Sequence, residues 1–314
     1  MAGNTSHTSG QAKDSLPGPR APGLRGPVVV GFSTRTSSQT AVRWAAAEAE
    51  RRMSELRIVH AYALPQLGQP VQHGVDDLLR REASTLLDRI ADSTRHDHPR
   101  LEITTRLIQG APVNALRDES AAAALTVVGA KESGRLPRAI LGSVASAIAA
   151  VNPAPVVVVH PDHPVNGSGP IVVGVDLSAG NSAAIEFAFV EAAARNAELI
   201  AVHAWNTTVL AGGVPDYPAI LAQTALEKEA GTMLSETVAG WGTKYPDVVV
   251  THALRRGGAA TVLLEYSNAA SMVVVGRRPR GEFQATVMGS TSRSLTAHSP
   301  CPVVIVHSPD TDHS

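Results

Sequence analysis

Cysteine, aromatic side chains, long apolar runs and any excess of one charge are all scarce in this sequence, and each scarcity removes a class of function. The single cysteine, Cys301, has no partner for an intrachain disulfide, which suits a reducing compartment and makes the cytoplasm the expected location. With Trp 3, Tyr 4 and Phe 4, aromatics are too few for the stacking surfaces that hold single-stranded nucleic acid. Lys and Arg number 27 against 28 Asp and Glu, a formal net charge of -1, so no global field draws the chain to nucleic acid or to an anionic membrane. No apolar run approaches the roughly 18 residues of a membrane helix, and the N-terminal segment lacks the apolar stretch of a signal peptide. The expected partners are a small molecule and other proteins, with no nucleic acid and no membrane. Any phosphate site must be built locally.

Apolar aliphatic residues are plentiful. Hydrophobic residues make up 44% of the 314 and charged residues 18%, enough for a substantial core. The length exceeds the roughly 150 residues of one ordinary domain and points to two. Residues 1–26, rich in Gly, Ser, Pro and Thr, cannot bury enough apolar surface to offset chain entropy and are read as a flexible tail.

Laid on itself, the sequence repeats. Pro27-Val28-Val29-Val30-Gly31-Phe32-Ser33 parallels Pro170-Ile171-Val172-Val173-Gly174-Val175-Asp176, and Val59-His60-Ala61-Tyr62 parallels Val202-His203-Ala204-Trp205 at the same offset. Farther along, Leu141-Gly142-Ser143 matches Met288-Gly289-Ser290, and Pro155 to His160 matches Pro302 to His307, at an offset four residues longer. The extra residues fall around 212–218 of the second copy, where a loop would absorb them. Within each copy, short β-rich runs alternate with Ala-rich helical stretches, the pattern of βα units in a parallel sheet, so the fold class is α/β. Strands are expected near 28–32, 56–62, 101–107, 125–129 and 155–160, and again near 171–176, 198–204, 247–254, 272–276 and 302–307. Helices are expected near 38–53, 75–95, 112–122 and 142–151, and near 181–196, 218–240, 258–270 and 289–298. Leu101 to Leu107 alternates apolar and polar residues, as a half-exposed edge strand should.

The loop after the fourth strand of each copy carries the densest signal. Gly129, Gly134 and Gly142-Ser143 repeat as Gly276, Gly281 and Gly289-Ser290, a G-x4-G-x7-G-S spacing in both copies. Glycines let backbone N–H groups approach a phosphate, and a Gly-Ser opening a helix adds a hydroxyl and the positive helix end. Lys131, Arg135 and Arg138 in the first loop and Arg277, Arg278 and Arg280 in the second could neutralise a polyphosphate. The alternative reading is a pair of glycine-punctuated surface loops with solvated cations.

Taken together, the opening Val172 to Asp176, the Val-His-Ala after strand two, the glycine loop ending in Gly-Ser and the closing Cys301 to Val306 resemble the universal stress protein family. The resemblance covers two tandem domains, 27–160 and 170–308, joined by a linker at 161–169 and followed by a tail at 309–314. It implies Rossmann-like domains with strand order 3-2-1-4-5, paired through their fifth strands into an internal pseudo-dimer. In a subset of members it also implies ATP over the carboxyl end of the sheet, held by a loop G-x2-G-x9-G-[S/T]; the expected cofactor is ATP, with Mg as its companion. Here Gly129, Gly142, Ser143, Gly276, Gly289 and Ser290 fit that loop, while Glu132 and Pro279 stand at its middle glycine and Gly134 and Gly281 follow two positions later. The family's acid near the nucleoside is Asp176 in the second copy and Ser33 in the first. The second site is therefore expected to bind nucleotide better.

Other chemistry has thinner support. His60 and His203 could meet a base or bind buried backbone, and His160 and His307 lack the spacing of a metal site. Ser33, Ser143 and Ser290 show no paired base in the sequence, and Cys301 lies between prolines with no adjacent cation. The leading expectation is a nucleotide-binding regulatory module with an unidentified protein partner and with further homo-oligomerisation left open. A scaffold that has lost nucleotide binding and a slow ATP hydrolase stand beside it as alternatives.

Overall fold

The computed structural model of the chain describes residues 26–63, 73–130, 142–161, 167–205, 217–277 and 288–307. The first copy runs β1 (Val28–Phe32), α1 (Thr36–Arg52), β2 (Leu56–Tyr62), α2 (His73–Asp97), β3 (Ile103–Gln109), α3 (Pro112–Glu119), β4 (Leu125–Gly129), α4 (Ser143–Val151) and β5 (Val156–Val159). The second repeats it as β6 (Ile171–Gly174), α5 (Ser182–Arg195), β7 (Leu199–Trp205), α6 (Tyr217–Lys244), β8 (Val250–Arg256), α7 (Ala259–Ser267), β9 (Met272–Arg277), α8 (Ser290–His298) and β10 (Val303–His307). A single 3-10 turn, Ala179–Asn181, precedes α5. The extra residues expected around 212–218 lie largely outside the described residues.

All ten strands form one sheet in the order β3-β2-β1-β4-β5-β10-β9-β6-β7-β8. Pairing is parallel within each copy and antiparallel at the junction, where Val303, Val304 and Ile305 face Val158, Val157 and Val156. The valine runs explain the placement. Val156 to Val159 and Val303 to Ile305 are fully buried, and at about 1.5–3 kcal/mol for each buried aliphatic side chain a free edge of that composition would be costly and adhesive. β3 and β8, half-buried or exposed along most of their length, take the outer edges. Both begin two to three residues later than their apolar pattern suggests; just before them the Glu102 and Val249 carbonyls accept from the N–H groups of Leu56 and Leu199, where the second strands enter the sheet.

Helices cover both faces. Alternate residues of the strands point to a core under α1, α2, α5 and α6 on one side and to a second core under α3, α4, α7 and α8 on the other, and each core runs through both copies. α3 ends at Glu119, short of the helical Ala121 to Ala124 run. Ala124 must instead donate its N–H to the Pro27 carbonyl to open β4, and the hydroxyls of Thr126 and Ser120 lie 2.8 Å apart beneath it. Tertiary pairing overrides the helix propensity of alanine there.

The junction is also ionic. Glu48 of α1 and Glu191 of α5 are 1% and 2% exposed; Glu48 is bound by Arg51, Arg52 and Arg195, and Glu191 by Arg52 and Arg195. Arg52 bonds Glu48 one turn earlier at 2.6 Å and reaches across to Glu191, while Arg195 bonds Glu191 at 3.0 Å and reaches back to Glu48 at 2.7 Å. Burial alone would raise the Glu48 carboxyl, but the guanidiniums of Arg52, Arg195 and Arg51 outweigh it and hold the group below the usual carboxylate range. The two histidines ending the fifth strands cross over as well. His160 Nε2 lies 3.1 Å from the Thr296 carbonyl of α8, and His307 Nε2 lies 3.2 Å from the Ala149 carbonyl of α4.

Candidate functional site

In a parallel α/β sheet, the strand order reverses where neighbouring connections leave in opposite directions, and the crevice beyond the carboxyl ends of the strands is open there. In the first copy that point lies between β1 and β4. A cleft of about 350 Å³ occupies it, within the range of small-molecule sites. Its walls come from six elements, β1, α1, β2, α3, β4 and α4. Val59 and Ala61 of β2, with Pro112 and Leu116 of α3, make one apolar side. Phe32 at the end of β1 and Ser33 after it, with Arg35, Ser37 and Ser38 entering α1, make the middle, and Gly129, Ala130 and Gly142 to Ala145 make the other side.

Each wall has a local cause. The His60 ring nitrogen Nδ1 lies 2.9 Å from the Phe32 carbonyl and fixes the chain where β1 ends, and His203 does the same for Val175 at 2.7 Å. Those histidines serve the backbone. Gly110, at φ 145, turns the chain from β3 into α3, so that Leu116 comes to lie over Gly31. Gly129 lies where α1 begins, and a Cβ there would stand 2.6 Å from the Ser37 carbonyl oxygen, so the close approach of strand and helix requires glycine. Gly142 is the extended residue before α4 (φ -62, ψ 151) and has no side chain to cap the helix. The first-turn N–H groups of Ser143, Val144 and Ala145 have no intrahelical acceptor, and all three residues line the cleft.

The structure thus brings Ser33, Gly129, Gly142 and Ser143 to one cleft, while Lys131 and Gly134 lie outside the described residues, as do Glu132, Arg135 and Arg138. In the second copy, Asp176 follows β6 and its Oδ1 accepts from the Ser178 N–H at 3.0 Å and hydroxyl at 2.6 Å. Gly276 closes β9 beside Asn181 and Ala184, and Gly289 and Ser290 open α8. Arg277 places Nη1 3.4 Å from Nε2 of His307, at the junction of β9 and β10. Burial and that guanidinium push His307 down to about 4. Arg278 and Gly281 lie outside the described residues, with Pro279 and Arg280.

Sequence reasoning missed the apolar wall and the middle of the cleft: Arg35, Ser37, Ser38 and Leu116. It also missed the ring of Glu48, Arg52, Glu191 and Arg195, although the repeat itself signals it, since both Glu-x-x-x-Arg pairs stand at the offset of the first strands. Among the described residues lining the cleft there is no carboxylate and no imidazole. Cys301 is buried and its thiol is pushed up to about 11 by that burial, which leaves it a poor nucleophile.

Comparison with known proteins gives this geometry a lineage. The profile of the universal stress protein family matches residues 25–160 and again 168–307. A universal stress protein of Mycobacterium tuberculosis is 34% identical over 292 residues, covering 88% of this chain and 95% of the relative. Another, from Mycolicibacterium smegmatis, is 31% identical over 289 residues, covering 89% and 96%. The crystal structure of a universal stress protein from Archaeoglobus fulgidus shares the fold with a TM-score of 0.67 at 17% identity, covering 90% of this chain and 98% of that one. A doubled α/β unit, matched twice by one profile and along nearly the whole of its relatives, belongs to the universal stress protein family as a tandem member.

Proposed function

We propose that this protein binds adenine nucleotide, ATP in its charged form, at the carboxyl ends of its strands, and that it acts as a regulatory or stress-sensing module rather than as a fast catalyst. The observation carrying this reading is the first-copy cleft, which joins an apolar wall suited to a base with three first-turn amides suited to phosphate. Ser143 adds a hydroxyl donor there, and Gly129 keeps the strand end flat enough for α1 to close the side. The residues present fit a nucleotide. Ser290, Gly289 and Gly276, with Asp176 at the nucleoside, would play the matching parts in the second copy. Magnesium would enter with the triphosphate, since among the described residues no group of three or more His, Cys, Asp or Glu gathers to hold it.

What supports binding without rapid turnover is that the described lining holds no carboxylate and no imidazole, the groups most often used in general acid–base catalysis. Nucleotide content measured on freshly purified, denatured protein tests the reading, together with the melting temperature with and without ATP. Co-purified adenine nucleotide, or a rise of several degrees at saturating ATP, is expected. Empty protein whose melting ATP leaves unmoved would favour the scaffold alternative.

A further inference from the structure

The two copies present opposite hydrogen-bonding chemistry at one place, the loop after their first strand. β1 lies between β2 and β4 in the sheet. A ligand reaching from the β2 and α3 wall to the start of α4 must therefore pass its middle part over Ser33, Thr34 and Arg35. In a nucleotide that middle part is the ribose.

In the second copy the loop reads Asp176-Leu177-Ser178. Leu177 holds a left-handed conformation (φ 58), which costs an L-residue about 1–2 kcal/mol, and it accompanies the turn in which Asp176 accepts from Ser178. Asn181 stands beside Gly276, buried, with Nδ2 donating to the Gly174 carbonyl and Oδ1 without a partner among the described residues. A carboxylate and an amide oxygen are acceptors, suited to the O–H donors of a free ribose.

In the first copy the same positions carry Ser33, Arg35 and Ser38, and no acid. The Ser33 and Ser38 hydroxyls are 2.8 Å apart, so one O–H hydrogen is spent between them and the other is free to donate outward. Arg35 is exposed and lines the cleft, and among the described residues no carboxylate pairs with it. Between the two loops the local charge changes from one acid to one cation. A ribose phosphate brings close to two negative charges and three acceptor oxygens. It would be repelled at Asp176 and held at Arg35.

We infer that the first-copy cleft selects a nucleotide whose ribose bears a phosphate monoester, while the second copy takes one with free ribose hydroxyls. This deepens the proposed function and rests on it. The test is calorimetric titration of AMP, adenosine 2′,5′-bisphosphate and adenosine 3′,5′-bisphosphate into full-length Gly289→Val protein. A Cβ at Gly289 meets nothing within 4 Å and the backbone there is extended (φ -61, ψ 155), so valine obstructs the start of α8 without disturbing the fold. One bisphosphate should bind at least about ten-fold tighter than AMP, as a charge-assisted guanidinium contact implies. Arg35→Ser should bring all three affinities within about two-fold, and Ser33→Asp should reverse the order. AMP binding as tightly as both bisphosphates, or a preference that survives Arg35→Ser, overturns the inference and leaves the nucleotide reading standing. No binding by any of the three in protein whose melting ATP still raises overturns the inference alone, and no response to ATP either overturns both.

Discussion

The two copies agree at the positions that hold the sheet and part at those that face the crevice. Gly26 and Gly169, at φ 126 and 141, both press against a carbonyl of the loop before the fourth strand, and His60 and His203 both hold the end of the first strand. Glu48 with Arg52 answers Glu191 with Arg195 across the junction. By contrast, Ser33 and Ser38 stand where the second copy has Asp176 and Asn181. Gly129 is jammed against Ser37, whereas a Cβ at Gly276 would sit at an ordinary 3.6 Å from Ala184. A repeated chain is its own control: what both halves keep serves the shared scaffold, and what they vary is free to serve the ligand.

The largest effect should come from the scaffold. Replacing Arg52 by Met leaves Glu48 and Glu191 short of a partner in a buried site, at a cost of about 3–5 kcal/mol, and Arg195→Met should match it in chemical denaturation. Arg51 has no counterpart in the second copy, where Ala194 stands, so Arg51→Ala should cost about 1 kcal/mol or less. Unequal losses at Arg52 and Arg195 would break the pseudo-symmetry.

Alanine at the two strand-four glycines sharpens the contrast. Gly129→Ala should destabilise by about 3 kcal/mol because backbone atoms must move, and Gly276→Ala by less than about 1 kcal/mol. Urea midpoints of the two variants report this directly.

Acid should then act through the junction. In the folded chain His307 stays neutral down to about 4, while the unfolded chain takes up its proton near the ordinary histidine value of 6.5. Its contribution is therefore complete above about pH 6.5 and lost as pH falls toward 4, on the order of 3 kcal/mol. Glu48, depressed below 4.5, adds a loss in the same direction at lower pH. His307→Gln, whose amide can still donate to Ala149, should flatten the stability profile between pH 7 and 5; an unchanged slope would remove His307 as its source.

The smallest effect lies at the end of the first helix of each copy, where Met53 (φ 50) and Asn196 (φ 48) both adopt the left-handed conformation. Asparagine tolerates it better than methionine, and Met53 is 73% exposed with little packing to lose. Met53→Asn should stabilise by about 0.5 kcal/mol.

Much of this architecture was legible because valine runs and glycine punctuation are local signals. Val28 to Val30 and Leu125 to Val128 announce strands buried on both faces, and the alternation from Leu101 to Leu107 marks an edge. The order of strands and their junction came from the family resemblance, which periodicity cannot supply. Side chains that act through distant partners were harder to read: the repeat matches Glu48 and Arg52 with Glu191 and Arg195, but nothing local says that the two pairs meet across the junction. Arg35 was likewise invisible as a cleft residue, since nothing in Ser33-Thr34-Arg35 says that β2 and β4 flank it.

Calorimetric titration of ATP into the wild type and into Gly142→Val tests the central claim most directly. The backbone at Gly142 (φ -62, ψ 151) is one that valine adopts, so the substitution crowds the amides of α4 without straining the chain. The account predicts two binding events in the wild type and the loss of one in the variant, with the melting temperature of the free protein unchanged. Wild-type protein that takes up no ATP, or a variant that binds it in full, would contradict the assignment of the cleft.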